Sequence, residues 1–478
     1  MNNYCTVKEA AEAWHVSPTW ITMLCKNGRI RGAIKKNNKW IIPNNAHKPQ
    51  DRRTKEWRES EISKFSFIDL FAGIGGFHQA MRSLGGTCVM ASEINQACVD
   101  TYKLNFSTQE GDVRGDINKI DPYSIASFDV LCAGFPCQSF SKAGLQMGFQ
   151  DPKRGNLFFK IMEILDAHPE AQFIVLENVR NLADKKEHWE IIQEELTKRE
   201  FLITKDPLIL SPSNFGLPQI RERVYILGIK KQVCTKVIQD KGYIDPNDLH
   251  IEDYKQECKI GDALSILEEE NISEKYHISD EQALMIQAWD EFRLGTGITV
   301  LGFPIWISCF GYGITDDEVL KDKLEYYSMP SWKKAFVDKN RAFYICHRSF
   351  IDEWIEKYDM LNRIKLYQKF EWNCGTDVTS MQEAIIQIRQ SGIRVKRSNY
   401  FPSLVAIVNT PIVWDKNAHV YRRITPREAA NLQSFDKEYK FAGTDNQIYQ
   451  QLGNSVNVKV LQILCKNLFE LRKGGECE

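Results

Sequence analysis

Four short stretches of the chain combine residue types that could do chemistry. In Ala133-Gly134-Phe135-Pro136-Cys137-Gln138-Ser139-Phe140-Ser141, an apolar run delivers a cysteine into a loop punctuated by glycine and proline. α/β proteins place their ligands at that edge of the sheet; the plain alternative is a turn cysteine. Glu177-Asn178-Val179 puts an acid at the end of the apolar run Phe173–Leu176, where it could equally be an N-cap or a surface acid. Gln219-Ile220-Arg221-Glu222-Arg223 leads two arginines into an apolar strand, or simply solvates its start. Phe71-Ala72-Gly73-Ile74-Gly75-Gly76 follows the strand-like Phe67-Ile68-Asp69-Leu70, and its glycines let backbone approach a ligand closely. The pattern lacks the third spaced glycine of the dinucleotide fingerprint, which fits a ligand without pyrophosphate. Glu93, at the end of the next apolar run, is where an acid can accept from ribose hydroxyls. Asp112 could accept from an adenine amino group.

These stretches need strands and helices to hold them. Phe65–Leu70, Cys88–Ser92, Phe128–Ala133, Phe173–Leu176 and Arg223–Ile229 read as strands separated by helical patterns. Their continuous apolarity predicts burial on both faces in a parallel α/β sheet. Residues 231–418 lose this rhythm and are rich in Trp, Tyr and Lys/Glu. The α/β style resumes at Thr425-Pro426-Arg427-Glu428, a capping box with proline at the first helical position, and a last helix is expected from about Val456 to Leu471.

The front of the chain reads differently. Thr6 and Glu9 form a capping box for one helix, and Ser17-Pro18 opens a second through Lys26. Two apolar runs flank Lys36-Asn37-Asn38-Lys39 as a hairpin, or wing. This is a helix-turn-helix pattern followed by a polar linker. Residues 1–64 hold 13 Lys or Arg against six Asp or Glu, although the whole 478-residue chain has a net charge of −1. Such a basic segment meets nucleic acid or is a solvated tail. The 13 cysteines form no Cys-x-x-Cys pair and no zinc-type grouping, so most are expected to be buried, reduced thiols and no metal is expected. No apolar run has transmembrane length and no signal core opens the chain, so a cytoplasmic protein without a membrane partner is expected.

Together, the run from Phe67 to Phe77, the Gly-Phe-Pro-Cys-Gln-Ser-Phe-Ser loop, Glu-Asn-Val, Gln-x-Arg-x-Arg, Thr-Pro-Arg-Glu and Gly-Asn-Ser-Val resemble the ordered motifs of cytosine-5 DNA methyltransferases. The resemblance covers residues 65–230 and 419–471; the first 64 residues instead resemble excisionase- or MerR-type helix-turn-helix modules. It implies a Rossmann-like methyltransferase fold that uses S-adenosylmethionine. The implied organisation is a helix-turn-helix at 1–48, a linker at 49–64, a catalytic domain at 65–230, a separate target-recognition domain at 231–418 and a return to the catalytic domain at 419–478.

The resemblance also implies roles that the chemistry requires. C5 of cytosine is a poor nucleophile, so methylation needs a temporary adduct at C6; Cys137 matches the family's nucleophile. Glu177 matches the acid that protonates N3, and its proton affinity should be raised in a closed site. Arg221 and Arg223 match the arginines that support the base carbonyl and the catalytic loop. Phe71, Gly73, Ile74, Glu93, Ile94, Asp112, Pro136, Leu157, Asn454, Ser455 and Val456 match the positions that hold the methyl donor. The base must be flipped from duplex DNA, and Gln138 and Ser141 match loop positions that fill the gap or touch the backbone. Within 231–418, Arg394, Lys396 and Arg397 sit in a basic and aromatic run that could read bases or bind phosphate, or form a solvated strand. A cognate restriction endonuclease is an implied partner. The rival classes are an RNA cytosine methyltransferase, a non-catalytic DNA-binding regulator and a pyridine-nucleotide oxidoreductase. The long 231–418 region with the DNA-type front module, the intact Cys137 and Glu177, and the missing third glycine argue against them in turn.

Overall fold

The continuously apolar runs become the inner strands of one sheet, and the region without that rhythm builds a second. The computed structural model describes residues 4–14, 16–26, 30, 33–36, 39–44, 46, 64–107, 113–136, 156–268, 272–297, 302–404 and 410–473. They fall into two compact units, 1–63 and 64–478.

In the first unit, β1 (Tyr4–Thr6), β2 (Ile34–Lys36) and β3 (Lys39–Pro43) pair antiparallel in the order β1-β3-β2, beside helices Val7–Ala13 and Pro18–Lys26. The capping box closes: Glu9 N–H donates to Thr6 Oγ1 at 3.3 Å and Thr6 N–H to Glu9 Oε2 at 2.7 Å. Ala10, Ala11, Ile21, Leu24 and Ile42 form a small core, leaving Thr19, Lys26, Lys35, Lys36 and Lys39 exposed.

The second unit opens with β4 (Phe65–Leu70), β5 (Gly86–Ser92), β6 (Val130–Ala133), β7 (Phe173–Val179), β8 (Phe201–Ile203), β9 (Leu208–Leu210) and β10 (Arg223–Lys230). Their order is β5-β4-β6-β7-β10-β8, with β9 also on β10. Helices Gly76–Ser83 and Val458–Glu470 cover one face through Phe77, Met81, Leu461 and Leu464. Helices Asn156–Ala167 and Lys186–Lys198 cover the other through Phe158, Ile161, Ile192 and Leu196. The strands from β4 to β7 are parallel, but β10 is antiparallel to β7 and β8, so the all-parallel expectation is corrected to a mixed sheet. Apolarity on both faces reports burial and is blind to direction. Here the chain crosses from β7 to β8 and returns through β9 to lay β10 in the slot between them.

The second sheet contains β11 (Ile305–Trp306), β12 (Lys369–Asn373), β13 (Ala384–Arg389), β14 (Gly392–Arg397), β15 (Ile412–Asp415) and β16 (Val420–Arg423), in the order β11-β12-β14-β13-β15-β16. One face, with Phe370, Trp372, Ile386, Ile393 and Val395, packs on Trp289, Phe292 and Trp354 of helices Asp280–Gly295 and Arg348–Lys357. Trp289 stacks on Phe370 with ring centroids 4.8 Å apart. The other face meets the first sheet's core through Ile385 and Val413, near Phe401 and Leu404. The 418/419 boundary drawn from the sequence lies inside the β15–β16 hairpin. The helix Pro426–Leu432 carries the expected capping box between Thr425 and Glu428.

Among the described cysteines, Cys25, Cys88, Cys98, Cys132, Cys234, Cys309, Cys374 and Cys465 are buried thiols. Among the described residues, no helix is long and apolar enough to cross a membrane.

Candidate active site

The carboxyl ends of β4, β5, β6 and β7 bring the sequence motifs to one edge. Ala133 at the end of β6 pairs with Leu176 of β7, so the Gly-Phe-Pro-Cys loop leaves the sheet beside Glu177. Asn178 ties the two together, donating from Nδ2 to the Phe135 carbonyl at 3.1 Å. Cys137, Gln138, Ser141 and Asp112 lie outside the described residues.

Glu177 is only 8% exposed and stands opposite Tyr225 of β10. Its Oε1 lies 3.0 Å from Arg223 Nε. Burial raises the carboxyl's proton affinity, the charges of Arg223 and then Arg221 oppose it, and burial prevails. The group therefore holds its proton to a higher pH than an ordinary glutamate, as a general acid must near neutrality.

The two arginines divide the work. Arg223 faces Glu177. Arg221 is buried and spent on main-chain acceptors: Nη1 donates to Leu404 O at 2.8 Å, and Nη2 to Gly453 O at 2.9 Å and Ser455 O at 2.6 Å. Its Nη1 also reaches Ser403 Oγ at 3.3 Å. Arg221 thus positions the segments around the site.

The expected donor pocket assembles from distant parts of the chain. Glu93 Oε2 accepts from Gly73 N–H at 2.9 Å, and its Oε1 accepts from Asn95 N–H at 2.7 Å. The acid that follows β5 therefore fixes the turn that follows β4. A Cβ on Gly73 would meet nothing within 4 Å among the described residues, which leave open space above this turn. A Cβ on Gly76 would stand 2.6 Å from Val456 Cγ2 and 3.1 Å from Ser455 Oγ, so glycine is what lets the Asn-Ser-Val segment close over the turn. Ile94 is 73% exposed, Asn454 is exposed, Pro136 and Phe71 are half-buried, and Ile74 and Leu157 are buried. Open space, an anchored acid and an uncovered apolar side chain fit an adenosine-bearing ligand.

The basic run in the second sheet is divided. Arg394 and Lys396 alternate on β14, whereas Arg397 is opposite Ala384, on the Trp289-facing side, and pairs with Asp377 at 2.8 Å. The structure brings Arg394 and Lys396 together and leaves Arg397 apart.

Two residues escaped the sequence reading. Asn178 was read only as part of its motif, and nothing local in the sequence indicates that it bonds Phe135, 43 residues away. Asp69, inside the apolar β4, is fully buried, and neither carboxylate oxygen has a hydrogen-bond partner among the described residues. Burial pushes it up to about 8; the nearby His78 amide opposes this without meeting hydrogen-bond geometry, and Glu93 adds to it. An acid interrupting a continuous apolar strand was the available signal.

Comparison with known proteins agrees with this arrangement. A model described as C-5 cytosine-specific DNA methylase matches residues 65–470. The type II methyltransferase M.BanI of Aneurinibacillus aneurinilyticus is 32% identical over 446 residues, covering 85% of this chain and 96% of its own. M.HpaII of Haemophilus parainfluenzae is 31% identical over 412 residues, with 85% and 90% covered. M.AluI of Cellulosimicrobium cellulans is 29% identical over 481 residues, with 84% and 91% covered.

Proposed function

The chain belongs to the C-5 cytosine-specific DNA methylase family and is a cytosine-5 DNA methyltransferase, and from that premise we propose that it methylates one cytosine in a specific duplex sequence through a covalent Cys137–C6 adduct on a flipped base. The observation that carries this reading is Glu177, a buried acid with raised proton affinity, paired with Arg223 and tied through Asn178 to the loop that leads to Cys137.

The Cys137 thiolate attacks C6, and the electron pair displaced towards N3 takes the proton from Glu177. C5 becomes nucleophilic. S-adenosylmethionine supplies a methyl group on a sulfonium, which leaves as a neutral thioether. A base then removes the C5 proton, the Sγ–C6 bond breaks, and the proton on N3 returns to Glu177. Arg223 holds the Glu177 carboxyl in place, and Arg221 fixes the surrounding backbone. Phe71, Gly73, Ile74, Glu93, Ile94, Asp112, Pro136, Leu157, Asn454, Ser455 and Val456 would hold the donor. Gln138 and Ser141 would stand at the gap left by the flipped base.

Residues 231–418 choose the DNA site in this reading, with Arg394 and Lys396 as contacts and Arg397, on the opposite face, outside that group. Residues 1–48 form a helix-turn-helix that makes a second DNA contact. The relatives named type II methyltransferases favour a restriction-modification role in the cytoplasm, with an endonuclease acting on the same site. A 5-fluorocytosine duplex should trap the wild-type enzyme covalently, because fluorine blocks the final elimination, and Cys137→Ser should neither trap nor methylate while still binding duplex. Near-normal turnover by that variant would remove Cys137 from the mechanism. Competition between tRNA and duplex DNA decides against the RNA alternative if duplex alone is methylated.

A further inference from the structure

On β12, β14 and β13, residues that stand directly opposite one another project from the same face. Glu371 is opposite Arg394, Asn373 is opposite Lys396, and Gln387 is opposite Arg394 from the other side. Arg389, two residues beyond Gln387, shares their face. The reverse face is fixed in the aromatic core around Trp289, so this face cannot turn away from the side on which Ile385, Phe401 and Leu404 meet the first sheet.

The face is unbalanced in charge. Glu371 Oε1 accepts from Arg389 Nη2 at 3.1 Å, and its Oε2 accepts from Arg394 Nε at 2.5 Å. Arg394 Nη2 lies 2.5 Å from the same oxygen. One carboxylate thus serves two guanidiniums. Lys396, half-buried, meets no carboxylate among the described residues, and burial together with Arg394 and Arg389 lowers its proton affinity. Arg389 Nε is buried and has no acceptor among the described residues. Three crowded cations against one acid, with an unused buried donor, call for an acceptor-rich partner.

We propose that Glu371 sets the choice of DNA site by holding Arg389 and Arg394 abreast as two guanine-reading groups, with Gln387 and Lys396 beside them. The proposal rests on the reading that residues 231–418 carry site choice. A guanine edge offers O6 and N7 to a guanidinium fork in the major groove. A phosphate is the poorer fit, because the carboxylate at the centre of the cluster repels it and phosphate contacts need no such fixed geometry. Glu371 is a positioning residue; Arg389 and Arg394 make the contacts.

Bisulfite sequencing of a randomised duplex library methylated by the full-length enzyme tests this. Arg389→Met and Arg394→Met should each relax a different G·C position of the methylated motif, by on the order of tenfold to a hundredfold. Glu371→Gln should relax both positions together, a change of base preference that mere loss of packing would not produce. S-adenosylmethionine binding serves as the folding control for each variant. An unchanged motif in all three variants, relaxation at an A·T position, or a uniform loss on every sequence each overturns the proposal. Exchanging residues 231–418 for the matching segment of a relative separates the two levels. If the exchange redirects the motif while the point variants do not, the guanine assignment alone fails. If the exchange leaves the motif unchanged, the reading of the whole region fails.

Discussion

Replacing Arg223 by methionine removes the charge 3.0 Å from Glu177 and keeps an apolar stem in its place. An opposite charge at this range moves a carboxyl by about 1–3 units. Arg221 also lowers Glu177 and remains in the variant, so removing Arg223 moves the carboxyl upward by its own share alone. Glu177 must be protonated to act, so the alkaline limb of the pH–rate profile for single-turnover methyl transfer should move to higher pH by that amount, whatever the loss in absolute rate. Stability carries a matching signature. A carboxyl whose folded value is raised takes up a proton on folding, so its contribution is flat below the unfolded value near ~4.3 and falls as pH rises through the folded value. The variant deepens that fall. A stranded buried charge would cost about 3–5 kcal/mol, but protonation limits the penalty to about 1.4 kcal/mol per unit by which the working pH exceeds the wild-type folded value, up to the value in the variant. The Tm deficit of Arg223→Met should therefore grow as pH rises above the wild-type folded value of Glu177. A limb that stays in place or moves acid, or a Tm deficit independent of pH, would refute the assignment of Glu177 as the titrating acid.

Glu177→Gln should lower single-turnover methyl transfer by roughly a hundredfold or more with little change in S-adenosylmethionine affinity by calorimetry; collapse of donor binding with a surviving rate would place Glu177 in the scaffold. Asp69 is raised to about 8, so its contribution to stability falls as pH climbs from the unfolded value near ~3.9 through 8. Asp69→Asn removes the titration, and its Tm advantage over wild type should widen between pH 6 and pH 8; a constant offset would show that the buried acid is already ionised below that window. Deleting residues 1–48 should leave methylation of short duplexes nearly unchanged while removing any separate DNA footprint, whereas loss of activity on short duplexes would make the module part of the catalytic fold.

The legible parts of the chain were those written in local pattern. The helix Pro18–Lys26, the strand Phe65–Leu70 and the capping boxes at Thr6 and Thr425 follow from spacing within a few residues. The meeting of Glu177 with Arg223 was legible only through motif order, because β7 and β10 are joined by 43 residues of intervening chain and two further strands. What escaped depends on pairing at a distance. Nothing near Glu371 announces that it will lie between Arg389 and Arg394, since β12 reaches β14 as a parallel neighbour. The splitting of Arg397 from Arg394 and Lys396 follows from strand alternation, but only once the run is known to be a strand.

The acceptors of Arg221 carry a consequence for how this enzyme can change. Three of them are main-chain oxygens: those of Leu404, Gly453 and Ser455. The neighbouring seam is also main chain, with Phe401 N–H donating to Pro218 O at 2.8 Å and Ile220 N–H to Phe401 O at 2.9 Å. A carbonyl is present whatever side chain its residue bears. The main-chain hydrogen bonds of this joint therefore do not depend on which side chains the acceptor residues bear. In the reading proposed above, substitution in the half-buried polar row on β12, β13 and β14 can alter site choice while these hydrogen bonds stay in place around the acid.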